Sequence, residues 1–224
     1  MSQVKSWSYS RWHTFEQCPF KFAGEVIDGH REPQSEAMAR GDRMHKELEA
    51  YIMQPPGGEL QVPLSAMTFF ADFAQAIRAL PRKMAEFQIT YRRNWTPTGW
   101  MSKDAWWRSK LDVFGLYSDG TADIVDWKSG RQYPEHKDQL EGYGLAGLLW
   151  SRALKSVRTR MSYLDSGEEL VYEFTQDDVP ALKDKWAGRA AQMLEATEFT
   201  ATPNALCGFC WRRQSGGDGS CKFG

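Results

Sequence analysis

The chain has 224 residues, with 28 Lys+Arg against 29 Asp+Glu, a hydrophobic fraction of 42% and four cysteines. At this length one domain with a core able to fold without disulfides is the default, and near-zero net charge excludes a polybasic protein that grips nucleic acid with its whole surface, though not one with a local basic groove. No run of about 18 apolar residues exists and Met1 to Arg11 is polar and aromatic, so neither a membrane span nor a secretion signal is expected; the expectation is a soluble, cytoplasmic protein.

In chain order, Ser8 or Ser10 can cap a short helix running toward Cys18-Pro19, and Ser35 can cap another that carries Met38, His45, Leu48 and Ile52 at helical intervals. Gln54-Pro-Pro-Gly-Gly58 ends that helix. A third helical region covers Ser65 to Leu80, where Pro81 breaks it. The period then changes. Glu86 to Arg93, Trp106 to Tyr117 and Thr121 to Trp127 are rich in β-branched and aromatic residues, with Ser118-Asp119-Gly120 as a hairpin turn between the last two. Pro134 to Trp150 reads as helix, Val157 to Leu164 and Glu168 to Phe174 as strands around Asp165-Ser-Gly167, and Asp177 to Thr197 as a final helix before a cysteine-rich tail. The fold class is α/β (α+β), a central mixed β-sheet flanked by helices, with one core.

Two segments carry chemistry: Lys110-Leu-Asp-Val-Phe-Gly115 and Ile124-Val-Asp-Trp-Lys-Ser-Gly130. Residues two apart in a strand share a face, so Asp126 and Lys128 project together while Trp127 points away. Folding about Asp119-Gly120 brings Asp112 near Asp126 if the register permits. Two close carboxylates stay ionised most readily with a cation between them. Hard oxygen donors suit Mg²⁺ or Mn²⁺, and an imidazole from His45 tilts the choice toward Mn²⁺. The Lys128 ammonium can orient a water or stabilise charge developing on phosphorus.

Gly41-x-x-x-His45, Leu111-Asp112, Val125-Asp126-Trp127-Lys128-Ser129-Gly130 and Gln139-x-x-x-Tyr143 together resemble the motifs of the PD-(D/E)xK nucleases, closest to the RecB-like branch with its CRISPR-associated, AddB-type and phage exonucleases. The resemblance implies a restriction-endonuclease-like core. It implies a metal bound by His45, Asp112, Asp126 and the Trp127 carbonyl, a catalytic Lys128, and a positioning or DNA-contacting role for Gln139 and Tyr143. Asp126 stands where Glu is more usual in the family. Glycines at 142, 144 and 147 weaken an isolated helix by up to about 1 kcal/mol each, which close packing on the sheet would explain. Glu86 reads as a solvated strand end or an accessory acidic residue, and His13, His30 and His136 have no partner that the sequence names.

Cys207-Gly-Phe-Cys210, with Cys221 and Cys18, can form a four-thiolate site for zinc or an iron–sulfur cluster, and spacing alone does not choose. The resemblance implies a structural [4Fe-4S] cluster joining the N- and C-terminal ends, although ten residues between Cys210 and Cys221 is a longer gap than that pattern leads one to expect. In the chain-entropy model a cross-link spanning nearly the whole chain contributes about 5 kcal/mol. The whole of 1–224 is then one nuclease domain, with a core over about 35–175 and cluster-binding ends at 8–24 and 197–224.

Arg92, Arg93, Trp95, Lys103 and Arg108, interleaved with Trp100, Trp106 and Trp107, offer cations for phosphates and rings for bases, or else the tryptophans fill a core. The reading that follows is a Mg²⁺- or Mn²⁺-dependent DNA nuclease, an exonuclease on DNA ends or single strands by family analogy, with no membrane association and no protein partner that the sequence names. The alternatives are a nucleic-acid-binding or assembly protein that no longer cleaves, and a zinc-stabilised structural protein.

Overall fold

Ser8 accepts a hydrogen bond from the Arg11 amide at 3.3 Å and starts helix α1 (Tyr9–Gln17). Pro19, which has no amide hydrogen to leave unpaired, opens the short α2 (Pro19–Phe22), followed by a π-helical turn, Ala23–Ile27. Ser35 accepts from Met38 N at 3.2 Å and caps α3 (Glu36–Met53). The computed structural model describes residues 4–55 and 61–223, so residues 56–58 of the expected Gln54-to-Gly58 stop lie outside the described residues. The region expected to be one helix from Ser65 to Leu80 is two, α4 (Leu64–Met67) and α5 (Ala71–Ala79). Leu80 is extended, as the residue before Pro81 must be.

Strands β1 (Arg82–Tyr91), β2 (Trp107–Leu116) and β3 (Thr121–Lys128) precede helix α6 (His136–Trp150). Then come β4 (Ser156–Tyr163), β5 (Glu169–Thr175), a 3₁₀ turn over Gln176–Asp178, α7 (Val179–Leu194) and a second 3₁₀ turn at Cys207–Phe209. The sheet has five strands in the order β1-β2-β3-β4-β5, with β3 and β4 parallel and every other pair antiparallel. A parallel pair needs a crossover, and α6 supplies it. The β2–β3 turn forms as expected: Gly120 takes φ +87°, and Asp119 Oδ1 accepts from the Thr121 amide at 2.9 Å and its hydroxyl at 2.8 Å.

The chain divides into two compact units, one of Gln34–Asp184 and one of Met1–Pro33 with Lys185–Gly224. In the first, Met44, Leu48 and Ile52 of α3 and Ala74 and Ile77 of α5 pack with Val113, Val125 and Trp127 of the sheet. Each large side chain so buried contributes roughly 1.5–3 kcal/mol. On the opposite face, reached by the alternate residues of β3, α6 lies so close that a Cβ on Gly147 would sit 2.9 Å from Ile124 Cδ1. A Cβ on Gly144 would sit 2.3 Å from the Phe174 ring. These approaches account for two of the glycines in α6.

In the second unit, aromatic rings join the two ends of the chain. Trp7 stacks on Trp186 with centroids 5.4 Å apart, Trp12 meets the same indole edge-on at 5.3 Å, and the Arg189 guanidinium lies 4.1 Å over Trp12. Asn204 Nδ2 donates to the Gln17 carbonyl at 3.1 Å. Two histidines that the sequence left unassigned have partners here: His13 bonds Gln17 at 2.8 Å, and His30 stacks on Trp211 at 3.6 Å. Among the described residues no helix is long and apolar enough to cross a membrane.

Gly144→Ala forces the Phe174 ring to move, which outweighs the helix-propensity gain. A net destabilisation of about 1–3 kcal/mol is expected from urea unfolding, and an unchanged or raised midpoint would show that the helix–sheet contact is slack.

Candidate active site

The β2–β3 ladder ends at the pair Val113↔Val125, and the next positions in that register are Asp112 and Asp126. There the backbone pairing gives way to a side chain: Asp112 Oδ2 accepts the Trp127 amide at 2.9 Å. The Trp127 indole points the other way, against Phe70 and Phe73 at 6.1 Å each.

Asp126 is buried, 2% exposed. Its Oδ1 accepts from Tyr143 Oη at 2.8 Å and Gln139 Nε2 at 3.1 Å, and Gln139 also donates to Tyr143 Oη at 2.7 Å. One turn of α6 therefore presents both groups to a single carboxylate oxygen. Oδ2 faces Lys128 Nζ at 2.6 Å as an ion pair that is not aligned as a hydrogen bond. Burial, opposed by Lys128 and reinforced by the charge of Asp112, raises the Asp126 pKa. Burial pulls Lys128 downward, but Asp126 and Asp112 outweigh it and its pKa is raised as well. Tyr143 is pushed well up, first by burial and then by the two aspartates.

A second group gathers alongside. His45, Glu86 and Asp112 each offer one donor atom, and all lie within 4.8 Å of one another. His45 comes from α3, where Gly41 lies one turn earlier on the same face. A Cβ there would meet Ser129 Oγ at 3.3 Å, and Arg40 beside it forks onto Asp165 at 2.8 and 2.5 Å. The G-x-x-x-H spacing thus seats the helix against the segment after Lys128 and aims the imidazole at Asp112, 3.3 Å from Nδ1 to Oδ2. That contact raises the His45 pKa against the opposing effect of burial.

Glu86 is no solvated strand end. It lies within β1, its side chain 25% exposed, between the pairs Ala85↔Val113 and Phe87↔Leu111, and so across from Asp112. It drops out of the ladder with φ +51°, a left-handed conformation that costs a non-glycine residue about 1–2 kcal/mol. Lys110 ion-pairs with its Oε2. Asp126 stands outside this group of three, turned to Lys128, Gln139 and Tyr143.

The family model described as the PD-(D/E)XK nuclease superfamily matches residues 6–215. The chain belongs to that superfamily. No curated protein sequence matches this nuclease at a significant level. Among solved structures it is similar to a Eubacterium rectale protein that carries a provisional exonuclease name, with 12% identity, a TM-score of 0.52, and 92% of this chain and 87% of that one covered. At such identity the likeness speaks to the fold, which is the expected α/β restriction-endonuclease-like one. A second structure, SSO0001, is 15% identical with a TM-score of 0.47 over 94% of this chain and 84% of that one.

The four cysteines of the nuclease all line one cavity of about 270 Å³. The backbone amide of Asn204 donates to Cys207 Sγ at 3.3 Å, and Cys221 is buried. Among the described residues no three thiols converge as tightly as the donors around His45. The basic and aromatic set is knit to itself. Arg92 pairs with Asp104 and the Pro97 carbonyl, Trp95 sits edge-on to Trp106 at 5.0 Å and Trp107 at 5.7 Å, and Arg108 Nε donates to the Trp100 carbonyl at 3.0 Å. Trp107 is core, whereas Arg93 and Lys103 are exposed.

A histidine with a raised folded-state pKa adds stability that is complete below its unfolded value of 6.5 and is lost as pH rises through the folded one. In chelator, the urea midpoint is therefore expected to fall as pH rises above about 6.5, and to fall less in His45→Gln. Equal falls in both proteins would mean that the His45–Asp112 pair contributes nothing.

Proposed function

We propose that the protein is a cytoplasmic, Mg²⁺- or Mn²⁺-dependent DNA nuclease that hydrolyses phosphodiester bonds, acting as an exonuclease on DNA ends or single strands. The observation that carries this reading is the meeting of His45, Glu86 and Asp112 within one ion's reach, beside a buried Asp126 whose Oδ2 has no aligned hydrogen bond. Three carboxylates and an imidazole are a hard donor set that fits Mg²⁺ and suits Mn²⁺ better. Burial first and the charge of Asp112 second raise the Asp126 pKa, and a further cation there would favour the charged carboxylate.

His45, Asp112, Asp126 and the Trp127 carbonyl would hold the ion, with Glu86 as an added ligand. The bound ion supplies Lewis acidity at the phosphoryl oxygen and a more acidic water. Gln139 and Tyr143 fix Asp126 through Oδ1, which leaves Oδ2 for the cation and for Lys128. Lys128 Nζ, held by that carboxylate, orients the attacking water and stabilises the negative charge that grows on the phosphoryl group. DNA as substrate and the preference for ends rest on the family alone.

End-labelled and circular DNA incubated with Mn²⁺, Mg²⁺ or EDTA tests the reading. Cleavage is expected with metal only and from ends only, falling at least about 100-fold in Asp126→Asn and Lys128→Gln. Glu86→Gln should raise the Mn²⁺ concentration needed for half-maximal rate. Activity that survives in either of the first two variants would count against the assignment.

Cys18, Cys207, Cys210 and Cys221 are further proposed to hold a structural [4Fe-4S] cluster rather than Zn²⁺. In support, all four line one cavity. Protein purified without oxygen should be brown, absorb broadly near ~400 nm and carry about four irons per chain. Cys18→Ser should lose the colour and several degrees of Tm. A colourless protein with stoichiometric zinc is the opposing result.

A further inference from the structure

We propose that the loop joining β3 to α6, residues 129–135, binds an unpaired DNA nucleotide, with the base on the Tyr133 ring and its phosphate on Arg131. This rests on the nuclease reading above and adds to it the substrate contact nearest the reacting phosphate.

The loop begins directly after Lys128 and is pinned at both ends. At its start, Arg40 Nη1 reaches the Ser129 carbonyl at 3.4 Å while its guanidinium is forked onto Asp165. At its end, His136 Nδ1 lies 2.6 Å from Tyr163 Oη and accepts the Tyr133 amide at 3.4 Å. Tyr163 is the register partner of Lys128 across the parallel β3–β4 pair. Rings therefore lead from the sheet beside Lys128 outward: Tyr163 stacks with His136 at 5.8 Å, and His136 meets Tyr133 edge-on at 5.5 Å. Tyr133 ends this run 40% exposed.

Arg131 lies over the Tyr133 ring, 5.2 Å from its centroid, and its Nε donates to Tyr133 Oη at 2.9 Å. Among the described residues no carboxylate faces it, whereas Arg40, Arg92, Arg158 and Arg212 each have one. A guanidinium without a counter-ion, laid on a solvent-facing ring, offers the two groups that a nucleotide needs, a cation for phosphate and a π-face for the base. The Trp95 ring offers less, because Arg92 beside it is paired with Asp104 and its indole is wedged between two others. A base can reach Tyr133 only if unpaired, so the site favours single strands or frayed ends.

The test uses the full chain in Ca²⁺ without Mg²⁺ or Mn²⁺, so that binding is read apart from cleavage, with single-stranded DNA carrying 2-aminopurine at successive positions. Stacking should quench the probe at one or two adjacent positions. Tyr133→Ala should abolish that quenching and weaken single-strand binding roughly 5- to 150-fold, while Tyr133→Phe keeps both. Arg131→Ala should lower the slope of log affinity against log salt by about 0.7, one phosphate contact. Blunt duplex should bind wild type, Tyr133→Ala and Tyr133→Phe within about twofold of one another, as expected where stacking contributes nothing. Quenching unchanged in Tyr133→Ala, or equal losses on blunt duplex and single strand, overturns the proposal. A wild type that quenches the probe but fails to cleave with Mn²⁺ would instead sink the nuclease reading and leave this contact standing.

Discussion

The hydrogen bond from the Trp127 amide to Asp112 Oδ2 is the point on which the site turns. A hairpin ladder that continued past Val113↔Val125 would use its amides on backbone carbonyls. By taking that amide, the Asp112 carboxylate stops the ladder where the second aspartate follows, and its orientation is then set by backbone rather than by a free rotamer. His45 from α3 and Glu86 from β1 arrive at a carboxylate that is already fixed.

The neighbouring Asp126 is held differently. A buried carboxylate is costly unless its oxygens are occupied, and the two oxygens have separate partners: Tyr143 and Gln139 on Oδ1, Lys128 on Oδ2. Tyr143 and Gln139 are neutral donors and leave the charge in place, whereas Lys128 is itself raised in pKa by the aspartates and stays charged. Charge is thus concentrated on the side toward Asp112 and kept from the apolar side under α6. The helix can come that close because Gly144 and Gly147 leave room for Phe174, Ile124 and Val157.

What the sequence made legible was local. The β2–β3 hairpin carries its turn, its alternation and both aspartates within seventeen residues, Lys110 to Asp126, so register follows from the turn. The G-x-x-x-H and Q-x-x-x-Y pairs are one helical turn each and share a face by geometry. Glu86 was not legible in the same way. Fifteen residues, 92–106, separate β1 from β2, and no turn chemistry across that connection fixes which residue lies opposite Asp112. Its left-handed φ also breaks the alternation on which strand reading depends. The tryptophans from 95 to 107 were ambiguous for another reason, since a ring suited to stacking on a base is equally suited to stacking on another ring. The partners of His30 and His136, Trp211 and Tyr163, are long-range and left no mark in local pattern.

The unit built from both ends of the chain has a consequence for how the molecule is made. Cys18 and Cys207 are 189 positions apart, so at ribosomal speeds of ~5–20 residues per second the first thiol waits roughly 10–40 s for its companions. Residues 34–184 are contiguous and have emerged by then, able to acquire their own core while the aromatic residues Trp7 and Trp12 still lack Trp186. Closure of the terminal unit therefore waits until residues beyond 184 have been made, and up to that point Trp7 and Trp12 lack the indole on which they pack.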